Sequence, residues 1–144
     1  MGVLMPKILV PIDDSPTCRK TIDQIIAHRQ RFPEQLTLLH VIDDQLAWRM
    51  IPDFQREMVH ENALRAGKAL LARKAVKLVD AGFQVTEILE SGAPRQLIPQ
   101  IANAGNYELL VIGRHSGSGE IRDVLFGSVA NYVLHHVTCP VLLF

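Results

Sequence analysis

Five short apolar runs, separated by segments of helical spacing, constrain the fold of this chain more than any other feature. The runs are Ile8-Leu9-Val10-Pro11-Ile12, Leu36-Thr37-Leu38-Leu39-His40-Val41, Gln84-Val85-Thr86-Glu87-Ile88-Leu89, Leu109 to Ile112, and Val141-Leu142-Leu143-Phe144. The first, second, fourth and fifth are almost continuously apolar, which suits parallel strands covered on both faces. The third alternates, as an edge strand can. Between the runs, Ile22, Ile25 and Ile26 mark one buried helix face; Leu97, Ile98, Ile101 and Ala102 mark another. Phe126, Ala130, Val133, Leu134 and Val137 mark a third. Residues from Asp53 to Ala81 read as one long helix rich in Ala, Leu, Lys and Arg, its charges forming a solvated face. Gly82 stands where a C-terminal capping glycine belongs. Ser15 before Pro16, and Gly92-Ala93-Pro94, read as helix starts. The order β-α-β-α-β-α-β-α-β predicts a single α/β domain over 1–144, a parallel sheet with helices on both faces.

Composition narrows the function classes. A chain of 144 residues holds one domain with a proper core. Its formal net charge of +0 offers no basic footprint for nucleic acid. No apolar run approaches the roughly 20 residues of a membrane helix, and the start lacks the charged region of a signal peptide. Cys18 and Cys139 have no metal-ligand spacing and read as buried thiols rather than a bridge. That usage fits a reducing, cytoplasmic setting.

Chemistry concentrates in two turns. The fourth run ends in Gly113-Arg114-His115-Ser116-Gly117-Ser118-Gly119, and a helical segment opens at Gly127-Ser128. Strand, glycine loop and helix N-terminus together gather backbone amides around an anion such as phosphate. The first run ends in Asp13, Asp14 and Ser15. If these strands are neighbours, both turns face the crevice at the switch point of a doubly wound sheet. A P-loop signature is absent, and Gly117-Ser118-Gly119 lacks the third glycine of a dinucleotide fingerprint. A phosphoryl receiver is disfavoured, because Glu90-Ser91-Gly92 stands where its acceptor Asp belongs and Arg114-His115 where its lysine belongs. The plain alternative for Asp13 and Asp14 is helix capping by one and solvation of the other. His40, His60, His135 and His136 show no ligand spacing, and no nucleophile pairs with them. His115 differs because it lies within the glycine loop. The irregular stretch Ile42 to Pro52, with Asp43, Asp44 and Trp48, reads either as a flap over the site or as a surface loop.

Over essentially its whole length the sequence resembles the universal stress proteins. The likeness is carried by Lys7-Ile8-Leu9-Val10-Pro11-Ile12-Asp13, Leu38-Leu39-His40-Val41, Gly92, and Leu110-Val111-Ile112-Gly113-Arg114-His115. It continues through Gly127-Ser128-Val129-Ala130 and Cys139-Pro140-Val141-Leu142-Leu143. The resemblance implies a Rossmann-like, flavodoxin-like fold of the adenine nucleotide alpha hydrolase type, with five parallel strands ordered 3-2-1-4-5. ATP-binding members of the family carry G-x2-G-x9-G-[ST]. Here nine residues separate Gly117 from Gly127-Ser128, matching the second half, but three separate Gly113 from Gly117, one more than the pattern has.

The resemblance further implies an adenine nucleotide as ligand: ATP, or AMP or ADP, with Mg or Mn on the phosphates. Pro11, Ile12 and Asp13 would meet the adenosine, and Val41 would line the adenine pocket. Ile112 and Gly113 would flank ribose and phosphates; Gly117, Gly127, Ser128 and Val129 would hold the phosphates. Arg114 would add charge and His115 would contact the ligand. No catalytic constellation is legible, and slow ATP hydrolysis is the most that is expected. The implied role is regulatory, in stress response. The apolar C-terminal run Val141, Leu142, Leu143 and Phe144 would be an edge strand, predicting a homodimer through it. The rival reading is a nucleotide-independent interaction or signalling dimer of the same family.

Overall fold

The computed structural model describes residues 7–44, 50–113 and 128–144. It contains β1 (Ile8–Pro11), α1 (Pro16–Ala27), β2 (Gln35–Asp43), α2 (Asp53–Asp80), β3 (Gln84–Gly92), α3 (Pro94–Ala104), β4 (Leu109–Ile112), α4 (Ser128–His136) and β5 (Val141–Leu143). A short 3₁₀ turn, Arg29–Arg31, follows α1. The five strands form one parallel sheet in the order β3-β2-β1-β4-β5. β1 lies at the centre, with Ile8 beside Leu36 on one flank and Leu109 on the other. The winding therefore reverses between β1 and β4, where the sequence placed the crevice.

Each face of the sheet carries its own core. Ile8, Val10, Leu36, Leu38 and Val111 point to the face covered by α1 and α2, against Ile22, Ile25, Leu71 and Leu78. Leu9, Leu39, Val41, Leu110 and Ile112 point to the other face, against Ile98 and Ala102 of α3 and Val133 of α4. This two-sided burial explains why the central strands read as unbroken apolar runs.

Local chemistry sets the helix ends. The Ser15 hydroxyl accepts the Cys18 amide N–H at 3.1 Å, and Pro16 opens α1 with its φ already helical. The cap is thus Ser15 and neither aspartate. α2 ends one residue before the sequence placed it, and Gly82 follows with φ +100°, a conformation that side chains with a Cβ avoid. Arg29 closes that end, donating to the Ala81 and Gly82 carbonyls at 3.2 and 3.0 Å, its guanidinium 4.4 Å over the Phe83 ring.

Strand boundaries differ from the sequence reading: β1 ends at Pro11 and β5 at Leu143, each one residue early. β2 and β3 are each nine residues long, paired from Gln35 and Gln84 to Asp43 and Gly92. Main-chain pairing carries both strands past their apolar segments, because ladder bonds do not depend on side-chain polarity. Ile42 and Asp43 are therefore strand rather than loop. Trp48 lies outside the described residues, and so does the question of a flap. Cys139 is half-buried rather than buried, while Cys18 is buried; both are free thiols.

Candidate functional site

A cavity of about 390 Å³ opens at the carboxyl ends of β1, β2 and β4, a size typical of small-molecule sites. Leu39 and Val41 of β2, Ile112 of β4, Ile98 of α3 and Val133 of α4 give it an apolar floor. Asp13, Ser15, Thr17 and Thr21 supply a polar side. The first turns of α1, α3 and α4 all reach it, through Thr17, Pro94 and Val129. Three helix N-termini converging on one crevice make its potential favourable to an anion.

β2 holds the Asp13 turn in place. The Ile12 amide donates to the Leu39 carbonyl at 2.7 Å, and His40 Nδ1 donates to the Ile12 carbonyl at 2.9 Å. Two residues of β2 thus fix the end of β1 from which Asp13 projects. The exposed Asp13 carboxylate accepts the Ser15 amide N–H through Oδ1 at 2.9 Å, an Asx turn that aims the chain into α1. Asp14 points elsewhere, to a long 3.9 Å pairing with Arg73 of α2. His40 is accordingly a structural histidine. His136 caps its own helix, donating from Nδ1 to the Tyr132 carbonyl at 2.7 Å and stacking on that ring.

Gly113, at the end of β4, touches α1. A Cβ there would run into the Thr21 hydroxyl and stand 2.8 Å from Thr17 Cγ2. Thr21 is itself buried and donates to the Thr17 carbonyl at 2.9 Å, so it has little room to yield. The glycine is needed for helix-to-strand contact independently of any ligand. Cys18 lies in the same wall. Burial holds its thiol above the ordinary range, outweighing a hydrogen bond with the Asp13 backbone that acts in the opposite direction. It stays protonated and unreactive at neutral pH.

Of the residues singled out by sequence, Pro11, Ile12, Asp13, Val41, Ile112, Gly113 and Val129 all line this one cavity. Arg114, His115, Gly117 and Gly127 lie outside the described residues. Ser128 is the first residue of α4. Thr17, Cys18 and Thr21 were missed. Their signal was position: they occupy the first turns of the helix that follows the Asp13 turn. Among the described residues no cluster of three or more His, Cys, Asp or Glu side chains gathers to hold a metal. Among them too, no helix is long and apolar enough to cross a membrane.

The chain is similar in sequence to universal stress protein MJ0577 of Methanocaldococcus jannaschii, 27% identical over 99% of this chain and 96% of that one. The solved structure of MJ0577 superposes with a TM-score of 0.80, covering 98% of this chain and 96% of that chain at 28% identity. A universal stress family protein of Arabidopsis thaliana, At3g01520, solved with AMP bound, shares the fold at a TM-score of 0.69 and 21% identity, covering 96% of this chain and 90% of that one. A universal stress protein solved in complex with cAMP does so at 0.65 and 20%, with 97% and 96% covered. The model of the universal stress protein family matches residues 5–144. With that match across nearly its full length, the chain belongs to the universal stress protein family.

Proposed function

We propose that this protein binds an adenine nucleotide in the crevice between the Asp13 turn and the end of β4, and acts as a regulatory, stress-response dimer rather than an enzyme. The observation that carries the reading is the cavity itself. It offers an apolar wall that includes Val41 and Ile112 and, among the described residues, a single carboxylate, Asp13, at its polar side. A purine needs apolar walls, a ribose needs a hydroxyl acceptor, and phosphates need positive potential. Asp13 supplies the acceptor, and the helix N-termini supply the potential. Two relatives of the same fold were solved with AMP and cAMP, which favours the adenosine part as the common element.

ATP is the preferred candidate among adenine nucleotides because Gly117 and Gly127-Ser128 keep the family's nine-residue spacing. Gly113, Arg114, His115, Gly117, Gly127, Ser128 and Val129 would surround the phosphates. Mg or Mn would travel on the phosphates, since among the described residues Asp13 is the only acidic side chain in the cavity lining. The dimer would form through β5, an edge strand of apolar residues. The cytoplasm is the expected setting.

Mass spectrometry of small molecules released from the denatured, freshly purified protein tests the nucleotide reading. ATP, ADP or AMP at near-stoichiometric amount supports it. No nucleotide, together with no uptake of added ATP, favours the rival reading of a nucleotide-independent interaction dimer.

A further inference from the structure

α2 buries one face and leaves a second apolar face in solvent. Gly67, Leu70, Leu71, Ala75 and Leu78 are buried against the sheet. On the opposite side, Phe54 is 82% exposed, Met58 65%, Val76 57% and Val79 53%, and the alanines between them, Ala69 and Ala72, are also exposed. With Glu61 and Arg65, likewise exposed, these residues follow steps of three and four and fall within about 80° of arc. Single exposed apolar residues are ordinary, but apolar residues in line along a surface helix, here with Glu61 and Arg65 between them, mark a contact surface. Steps of three and four are those of a seam that packs against another helix.

We propose that this outer face of α2 pairs antiparallel with α2 of a second copy of the chain, a self-association surface separate from the β5 edge. The stripe is complementary to itself with the two-fold axis at the level of Ala63. Phe54 and Met58 lie N-terminal to that level and Ala69 and Ala72 C-terminal to it, while Val76 and Val79 extend past the start of the partner's α2. Reversal sets Phe54 over the partner's Ala72 and Met58 beside the partner's Ala69, so large meets small twice. The two charges in the middle decide the direction. A parallel pair would put Glu61 against the partner's Glu61 and Arg65 against the partner's Arg65. In the antiparallel pair each Glu61 faces the partner's Arg65, giving two ion pairs across the axis. α2 packs over β2 and β3, whereas β5 forms the far edge. Both surfaces are therefore accessible in one molecule, and two isologous contacts would build a closed tetramer or a chain of dimers.

Sedimentation of the full chain at tens of micromolar tests the pairing. The wild type is expected at twice the mass of Glu61→Arg alone and of Arg65→Glu alone, because each variant sets like charges across the axis. An equal mixture of the two variants, and the double variant carrying both exchanges, should return to the wild-type mass. Ala72→Glu, a change at an exposed position, should halve the mass as well by placing a charge under the partner's Phe54. Single variants that keep the wild-type mass, or a mixture that stays at the lower mass while Ala72→Glu does not halve it, overturn the proposal. The β5 variants discussed below leave this halving in place, so the two surfaces are read separately.

Discussion

Gly113 and Thr21 are in contact across the crevice: the end of β4 passes so close to α1 that a methyl group on Gly113 would meet the Thr21 hydroxyl. Thr17 Cγ2 at 2.8 Å and the Thr17 carbonyl at 3.2 Å crowd the same position, so moving the Thr21 hydroxyl alone does not clear it. Gly113→Ala is expected to push α1 outward and cost about 1–3 kcal/mol of stability, the usual range for overpacking. Urea unfolding should show the lower midpoint. Combining it with Thr21→Ala, which removes the nearest atom, should recover part of the loss, and a double change no better than the single would contradict this contact as the cause.

The buried Cys18 thiol gives the fold a pH signature. Its pKa is raised in the folded protein, first of all by burial. Between the unfolded and folded values the folded state holds the proton and the unfolded state does not. Stability from this group is thus complete below about pH 8.5 and declines as pH rises through the folded value. Removing the group as Cys18→Ala should flatten the alkaline loss seen in thermal melts. In the native protein a maleimide should label half-buried Cys139 before Cys18, and ATP should slow Cys18 further because the thiol lines the cavity. Equal labelling of both thiols would count against this placement.

Asn103 ties α3 to the turn that leads into β5. Its amide donates to the His136 carbonyl at 3.0 Å, and its Oδ1 accepts the Thr138 amide at 2.9 Å and the Thr138 hydroxyl at 3.2 Å. Asn103→Ala should cost about 1–2 kcal/mol, since these partners are exposed enough for water to replace part of the bonding. Asn103→Asp keeps the acceptor and loses the donor, so denaturant midpoints should rank it between wild type and alanine.

The β5 edge has a defined outward donor. The Phe144 amide donates inward to the Ile112 carbonyl at 3.0 Å, so by strand alternation the Leu143 amide faces the open edge. Leu143→Pro removes that donor and no bond to β4, and should halve the mass of a β5-linked dimer in light scattering. Leu142→Lys with Phe144→Lys should do the same, at a further cost in stability, because the Phe144 ring stacks on His28 and packs against Phe32. An unchanged mass in Leu143→Pro would move the interface elsewhere.

Much of this architecture was legible because the strongest signals are local. Ser15-Pro16 announced α1 through cap chemistry, and Gly82 announced the end of α2 through its φ. The apolar runs marked the strands because both faces are covered. What escaped was non-local. Gln35 and Asp43 extend β2 only because β3 lies beside them. Thr17 and Thr21 belong to the site only because β4 lies next to β1. The outer stripe of α2 could not be told from its buried one, since both are apolar and only packing distinguishes them. Its charges, read as a plain solvated face, include Glu61 and Arg65 at the centre of that stripe.

The central claim is that the crevice holds an adenine nucleotide through Asp13. Calorimetric titration of ATP into nucleotide-stripped protein, wild type beside Asp13→Ala, tests it most directly. The account predicts saturable binding at one site per chain, weakened about 10- to 100-fold by loss of the charged acceptor, with adenosine weakened alike. Absence of binding by the wild type, or an affinity for ATP and adenosine that Asp13→Ala leaves unchanged, would contradict it.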